Sequence, residues 1–240
     1  EFIIPPLLEL SETIGGEAHD EISSHAFSFR DDLTGKNLSI RPDISEQASR
    51  IDAYRIQSND IVRLCYAGEV VKSKASKVLR SRTTIQAGAE IFGDSSIEAE
   101  LESIRLMLNS LKISGVQSIT LSLGHAGFTA SVLEPFKSLG KEIFSNIETA
   151  LSKKSKSDLM AIIPDNHESK SSLINLCNMY GKKDVLKIAK IEYSNIKNSD
   201  KLLDHLEKVV NEIEDFTKVN LHIDLGEIQG FKYHNGIVFS

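Results

Sequence analysis

Cysteine is scarce in this sequence: Cys65 and Cys177 are the only two among 240 residues. That count excludes a Cys-based zinc site. Their wide separation predicts two reduced, buried thiols rather than a disulfide framework. The seven histidines include no His-Glu-x-x-His run, so neither a metal site nor a cofactor is expected. No apolar run approaches the roughly 20 residues that a bilayer-spanning helix requires, and no membrane partner is expected. The opening, EFIIPPLLEL, has no Met, no basic segment and no small-residue cleavage site, so it does not read as a signal peptide. It reads as the inside of a domain, with flanking residues expected beyond this stretch and a cytoplasmic location. Positive charge is also short, with 28 Lys and Arg against 34 Asp and Glu, a net charge of -6. Binding phosphates needs Lys and Arg concentrated on one face, so nucleic acid is not expected as the main partner.

What remains is an ordinary globular composition, 40% hydrophobic and 26% charged. A chain of this length can bury roughly 70–75% of its unfolded surface, enough for one sizeable core. Residues 25–41, HAFSFRDDLTGKNLSIR, predict a hairpin: Phe27 and Phe29 alternate with polar residues, DDLTG turns, and Leu38 and Ile40 resume the period of two. Pro42 stops the second strand. Asp43, with Glu46 three residues on, has the pattern that opens a helix over ISEQASRIDAYRIQ. A second strand pair, IVRLCYAGEVV and TIQAGAEIFG, flanks a polar loop. Ser95 and Glu98 predict the start of a helix whose Ile97, Leu101, Ile104 and Leu111 share one face. SITLSLG reads as a short buried strand. From Phe128 to about Phe216 the pattern is helical, broken at Gly140, KKSKS, PDN and Gly181, and the last 22 residues return to strand period.

This order leaves few places for βαβ crossovers. It predicts a single α+β domain over residues 1–240: an antiparallel sheet flanked by helices, with a helical insertion at about 128–216.

Four of these segments, in order and covering nearly the whole chain, resemble one family. FIIPPLLEL resembles motif 1 of class II aminoacyl-tRNA synthetases, a dimer-interface element. LSIRPDISEQASRIDAYR is similar to the strand and helix that carry R-P-E-G-T in histidyl-tRNA synthetases. RLCYAGEVV with QAGAEIFG resembles motif 2 and its Q-x-G-x-E sequel. QGFKYHNGIVF resembles the histidine-specific R-G-L-D-Y-Y strand.

The resemblance implies a partly kept histidine pocket. Asp43 stands where the family has the Glu at the amino-acid end of histidine, and Ser45 stands on the adjacent Thr. Gln86 and Glu90 fall on the Gln and Glu that hold the substrate's ammonium and carboxylate end. Tyr233 matches the first tyrosine of the aromatic pair, and His234 replaces the second. Carboxylates around an ammonium make charge-assisted hydrogen bonds, roughly twice as strong as neutral ones. Taken without the resemblance, each residue also has a plainer role. Asp43 can be a helix cap and Ser45 an exposed first-turn residue. Gln86 and Glu90, four apart and so on one strand face, can be solvated, and Tyr233 can be core.

The departures from the family bear on function. Lys72, after Val71, stands where motif 2 has the Arg that binds the α-phosphate of ATP. Thr84 replaces the Phe that stacks on adenine. Gln229 replaces the Arg that stabilises charge on the carboxylate. Losing one such electrostatic group costs about 100- to 1,000-fold in rate, so losing three leaves no useful adenylation. The loop from Lys72 to Arg82, which includes Arg80, carries five basic residues and no acidic one. It can be a solvated hairpin loop, an anion site or a face for an acidic partner.

A synthetase-like chain that keeps the pocket and loses the ATP residues is similar to the regulatory subunits of ATP phosphoribosyltransferase. The resemblance implies a short-form ATP phosphoribosyltransferase catalytic subunit as partner, histidine as effector and no catalytic residue in this chain. A diverged histidyl-tRNA synthetase core, or a free-standing amino-acid- or tRNA-binding module, are the alternatives. A homodimer is expected through the apolar run Phe2–Leu8, which the sequence pairs with no nearby strand.

Overall fold

Two ten-residue strands, β5 (Val62–Val71) and β6 (Thr83–Phe92), pair antiparallel along their whole length, with Val62 opposite Phe92 and Val71 opposite Thr83. This hairpin is the backbone of the first of two units, Glu1–Ala99 and Glu100–Ser240, into which the computed structural model divides. The structure describes residues 1–14, 24–75, 80–216, 219–228 and 234–240. Gln229 and Tyr233, and the tip of the basic loop at 76–79, lie outside the described residues.

In the first unit β1 (Phe2–Ile3) adds to β5 in parallel, Phe2 opposite Cys65. A second sheet orders β2 (Leu8–Leu10), β4 (Asn37–Ile40) and β3 (Phe27–Arg30), with both pairs antiparallel. The expected hairpin is there: Phe27 faces Ile40, Phe29 faces Leu38, and the Asp31 carboxylate accepts the Leu33 and Thr34 amides to close the turn. Helix α1 (Ser45–Ile51) continues as a π turn over Asp52–Ile56 and stops at Gln57, whose backbone is left-handed. Even-numbered β5 residues turn inward. Leu64, Tyr66 and Val70 therefore pack with Ile44 and Ala48 as a buried core, and Ile3, Ile51, Ile56, Val62 and Phe92 close its margins.

One expectation fails here. The run Phe2–Leu8 does have partner strands in its own chain, β5 for its start and β4 for its end, so the absence of a partner cannot argue for a dimer. Phe2 and Ile4 nevertheless remain 57% and 81% exposed. A second correction concerns Cys65. It takes an odd position of β5 and is exposed, whereas Cys177 is buried; both are free thiols.

The second unit is built on β7 (Thr120–His125), β8 (Tyr180–Gly181), β9 (Asn220–Asp224) and β10 (Ile237–Phe239), in the order β10-β7-β9-β8. The α+β class stands as expected, but of the three sheets only β2-β4-β3 is wholly antiparallel: β1 and β5 run parallel, and so do β7 and β9, Thr120 opposite Asn220. Parallel neighbours need a long crossover, and the nearly all-helical stretch between them supplies it. That stretch runs through Ala126–Leu133, Lys141–Ser152, Lys156–Ile162, Lys170–Leu176, Asp184–Glu192 and Ser199–Phe216. The last of these helices buries Leu203, Leu206, Val209, Val210 and Ile213 completely, an apolar stripe at helical spacing. The helix Ile97–Ile113 is capped one residue later than the sequence suggests. Ser96 Oγ accepts the Ala99 amide at 3.3 Å, and Leu108 completes its apolar stripe. No helix among the described residues is long and apolar enough to cross a membrane.

Candidate functional site

The period of two that buries Leu64 and Tyr66 also sets Glu90, Gly88 and Gln86 opposite Leu64, Tyr66 and Gly68. Gln86 and Glu90 thus share the strand face on which α1 packs. Asp43 and Ser45 reach the same place from the chain entering α1. These four candidate pocket residues come together in one hydrogen-bonded cluster.

Asp43 Oδ1 accepts the Ser45 amide at 2.8 Å and Gln86 Nε2 at 3.1 Å. Gln86 Oε1 in turn accepts the Ile44 amide at 3.0 Å, which fixes which end of the Gln86 amide points where. Ser45 Oγ lies 2.9 Å from the Tyr66 hydroxyl, and that hydroxyl donates to Glu90 Oε1 at 3.0 Å. Asp43 therefore bonds the first helical amide although the cap position itself is Ile44, without a side-chain bond, and the same carboxylate also positions Gln86. Ser45 is half-buried and bonded inward, not an exposed first-turn residue. Gln86 and Glu90 are partly buried and bonded, not a solvated face.

Sequence reasoning missed two buried residues of this unit: Tyr66, which belongs to the cluster, and Arg41, which ties together neighbouring segments of the chain. Tyr66 is only 4% exposed, and burial raises its pKa well above the ordinary phenol value, the Ser45 hydrogen bond opposing and the Glu90 and Asp43 charges adding to the rise. Arg41 is 5% exposed. Its Nε donates to the Glu69 carbonyl at 2.8 Å, and its Nη1 donates to the Pro5 carbonyl at 2.7 Å and to Gln47 Oε1 at 3.2 Å. Gln47 donates to the Pro6 carbonyl at 2.7 Å. Burial lowers the Arg41 pKa, and the charges of Glu9 and Glu69 offset part of that. A sequence signal existed for both. Gly68 and Gly88 sit mid-strand, where glycine is unfavourable unless another group must come close. A Cβ on Gly68 would lie 2.3 Å from an Arg41 nitrogen, and one on Gly88 would lie 2.4 Å from the Tyr66 oxygen.

Counting lone pairs and protons shows what the cluster can do. Among the described residues Asp43 Oδ2 and Glu90 Oε2 have no partner. The cluster is rich in acceptors and carries two carboxylates, which suits a cationic donor such as an ammonium group. Lys72, Arg80 and Arg82 are elsewhere, at the open end of the hairpin, where Val71 pairs with Thr83 and the Lys72 amide bonds the Arg82 carbonyl. All three are exposed, Arg80 has a left-handed backbone, and the Arg82 guanidinium lies 5.5 Å from the centroid of the Phe27 ring. Thr84 stands opposite Val70.

The second unit holds a polar cluster of its own, for which the sequence offered no motif. His125 ends β7 almost wholly buried, and its Nε2 lies 3.3 Å from Nδ1 of His205, whose Nε2 is 2.9 Å from a Glu100 carboxylate oxygen. Burial, helped by the adjacent His205, pulls the His125 pKa down to about 4. Burial raises the Glu100 carboxyl, with His205 opposing.

Compared with known proteins, all of residues 1–240 match the family model of histidyl-tRNA synthetase. The ATP phosphoribosyltransferase regulatory subunit of Nitrosomonas eutropha is 33% identical over 245 residues, covering 100% of this chain and 62% of that protein. The protein of the same name from Burkholderia cenocepacia (strain HI2424) is 34% identical over 241 residues, with the same two coverages of 100% and 62%. The chain thus spans about 62% of the length of these relatives. Among solved structures, an ATP phosphoribosyltransferase regulatory subunit/histidyl-tRNA synthetase from Bacillus halodurans superposes with a TM-score of 0.82 at 23% identity, over 100% of this chain and 62% of that one. A chain of the ATP phosphoribosyl transferase (HisG:HisZ) complex from Thermotoga maritima gives 0.68 at 16% identity, over 99% and 79%. At these identities the structures speak for the fold.

Proposed function

Since the chain belongs to the histidyl-tRNA synthetase family over residues 1–240, we propose that it is a non-catalytic member of it. It keeps the amino-acid end of the family pocket and has given up adenylation. On this proposal it is a regulatory subunit of ATP phosphoribosyltransferase. It activates a short-form catalytic subunit and conveys histidine feedback to the first step of histidine biosynthesis, in the cytoplasm.

One observation carries the proposal: an ordered acceptor cluster for an ammonium in a chain without the groups that activate ATP. Asp43, Ser45, Gln86 and Glu90 are held together by hydrogen bonds of 2.8–3.1 Å that run through Tyr66 and the helix start. The sequence has Lys72, Thr84 and Gln229 where an adenylating enzyme has Arg, Phe and Arg. Lys72 can attract a phosphate as a point charge but lacks the bidentate fork of arginine. A sensor needs to hold the amino acid; it has no need to activate its carboxylate. The names of the relatives favour the same role. Coupling between the histidine site and the partner's active site would be reciprocal, each ligand changing the other's affinity by one factor.

The deciding experiment mixes the purified protein with a short-form catalytic subunit and follows condensation of ATP with phosphoribosyl pyrophosphate. Activity should require both proteins and fall on adding histidine. Separately, histidine-dependent ATP–pyrophosphate exchange by this protein alone should stay at blank. Exchange at a synthetase-like rate would overturn the proposal in favour of a diverged synthetase.

A further inference from the structure

We propose that His125, His205 and Glu100 form a proton-operated latch on the first residues of β10, closed while their contacts run one way along the three side chains and opened by one added proton. The latch is independent of the amino-acid site. β10 lies at an edge of its sheet, beside β7. Its start is held from two sides: the Gly236 carbonyl accepts the Ala126 amide at 2.9 Å, and the Glu100 carboxylate accepts the Ile237 amide. Ile237 is also the register partner of His125. Gly127 lets the Asn235 carbonyl come down on its backbone, since a Cβ there would lie 2.7 Å from that oxygen and 3.3 Å from His125 Nδ1. The latch residues therefore touch the turn that they hold.

One orphan atom sets the direction of the chain. His125 Nδ1 is buried and has no hydrogen-bond partner. A buried N–H without an acceptor costs desolvation free energy and is rarer than a bare lone pair. The neutral ring therefore carries its proton on Nε2. That atom is 3.3 Å from His205 Nδ1, which must accept, so His205 keeps its own proton on Nε2, 2.9 Å from Glu100 Oε2. This last contact is close but bent, for Glu100 Oε2 has no in-line donor.

A chain polarised in this way has no room for another proton. On His205 Nδ1 it would face the His125 N–H across 3.3 Å, and on His125 Nδ1 it would be buried without an acceptor. Water reaches His125 Nδ1 only if the turn at Asn235–Ile237 lifts, because Gly127 and the Asn235 carbonyl close it off. Proton uptake at His125 and release of the start of β10 are then one event. Other ionisable groups are engaged elsewhere or face water. Asp204 and Glu207 take Lys190, Asp224 takes Lys154, Glu227 faces Ser122, and Lys201, Lys208 and His234 are exposed. Among the described residues the charge that bears on both His125 and Glu100 is that of His205. Burial, with His205 second, holds the His125 pKa down to about 4, in accord with a ring that refuses a proton while the latch is closed.

Two measurements on the intact protein test the latch. In nitrogen NMR of the imidazoles near neutral pH, both rings should carry their proton on Nε2. A proton on His125 Nδ1 reverses the chain and overturns the proposal. In native-state hydrogen exchange, the Ile237 and Ala126 amides should lose protection by about tenfold or more from about pH 7.5 to about 5, after correction for intrinsic rates. That loss should depend little on added urea, whereas the amides of the β7–β9 pairing should exchange by urea-sensitive global unfolding. His125→Gln should remove the pH dependence at Ile237. Exchange of Ile237 and Ala126 with the urea dependence of the β7–β9 amides would mean that no latch opens. A rise in protection on acidification would mean that charged His125 bonds the Asn235 carbonyl and tightens the turn. Either result overturns the proposal, as does a loss that persists in folded His125→Gln. If that variant does not fold, the wild-type tautomers and exchange decide alone.

Discussion

Gly88 lies opposite Tyr66 across the β5–β6 hairpin, and a Cβ on it would come within 2.4 Å of the phenol oxygen. That oxygen ends a side chain that is itself buried and bonded, so it cannot swing aside without breaking the Ser45 and Glu90 contacts. Gly88→Ala should therefore destabilise the protein by about 1–3 kcal/mol, as overpacking does, and should weaken histidine binding as well. Urea unfolding measures the first effect and calorimetry the second. Ala89→Ser, on the exposed face of the same strand, is the control and should stay within about 0.5 kcal/mol of wild type.

Glu90 and Ser45 should differ sharply in what they contribute to binding. Removing one charged partner of a desolvated pair costs about 2–5 kcal/mol, so Glu90→Ala should abolish histidine binding in calorimetry. Ser45→Ala removes a neutral hydrogen bond and should cost only about 1 kcal/mol. Neither should greatly lower the melting temperature without ligand. Normal histidine binding by Glu90→Ala would move the sensor site elsewhere.

His125 predicts an acid-side loss of stability. Its folded pKa, about 4, lies below the ordinary 6.5 because of burial first and His205 second. Between those values the unfolded chain takes up a proton that the folded chain refuses, so stability falls as pH drops from about 6.5 to 4 and then levels off. The shift corresponds to about 3 kcal/mol. Glu100, whose carboxyl is raised, acts in the opposite sense: it stabilises at low pH, and that contribution is lost as pH rises through its folded value. His125→Gln, with an amide N–H able to reach His205, should flatten the acid limb of urea-derived stability against pH. An unchanged slope would exclude His125 as its source.

The exposed apolar residues at and just after the first strand carry a prediction about assembly. Phe2 and Ile4 are largely exposed although the run has partner strands in its own chain. Their burial across a two-fold interface would give the expected homodimer. Sedimentation should find a dimer at micromolar concentration and Ile4→Glu should shift it towards monomer. A wild-type monomer with this segment intact would count against the interface.

Local periodicity by itself determined much of this protein. The hairpin of residues 25–41, the two long strands, the face shared by Gln86 and Glu90 and the helical block all follow from side-chain spacings of two or 3.6, which neighbours along the chain impose. The resemblance then brought Asp43 and Ser45 to that face, and the structure places them there. Tertiary structure decided the rest. Tyr66 looks like any strand aromatic until Ser45 and Glu90, 21 and 24 residues away, meet at its hydroxyl. Arg41 and Gln47 look like a strand end and a helix residue until Pro5 and Pro6 fold back onto them. The parallel pairing of β7 with β9 needs about a hundred intervening residues to close, and His125 meets Glu100 only through His205. Spacing tells which side of a strand or helix a residue takes. Which distant group it meets there depends on chain closure, and closure is a property of the whole packed core rather than of any stretch of sequence.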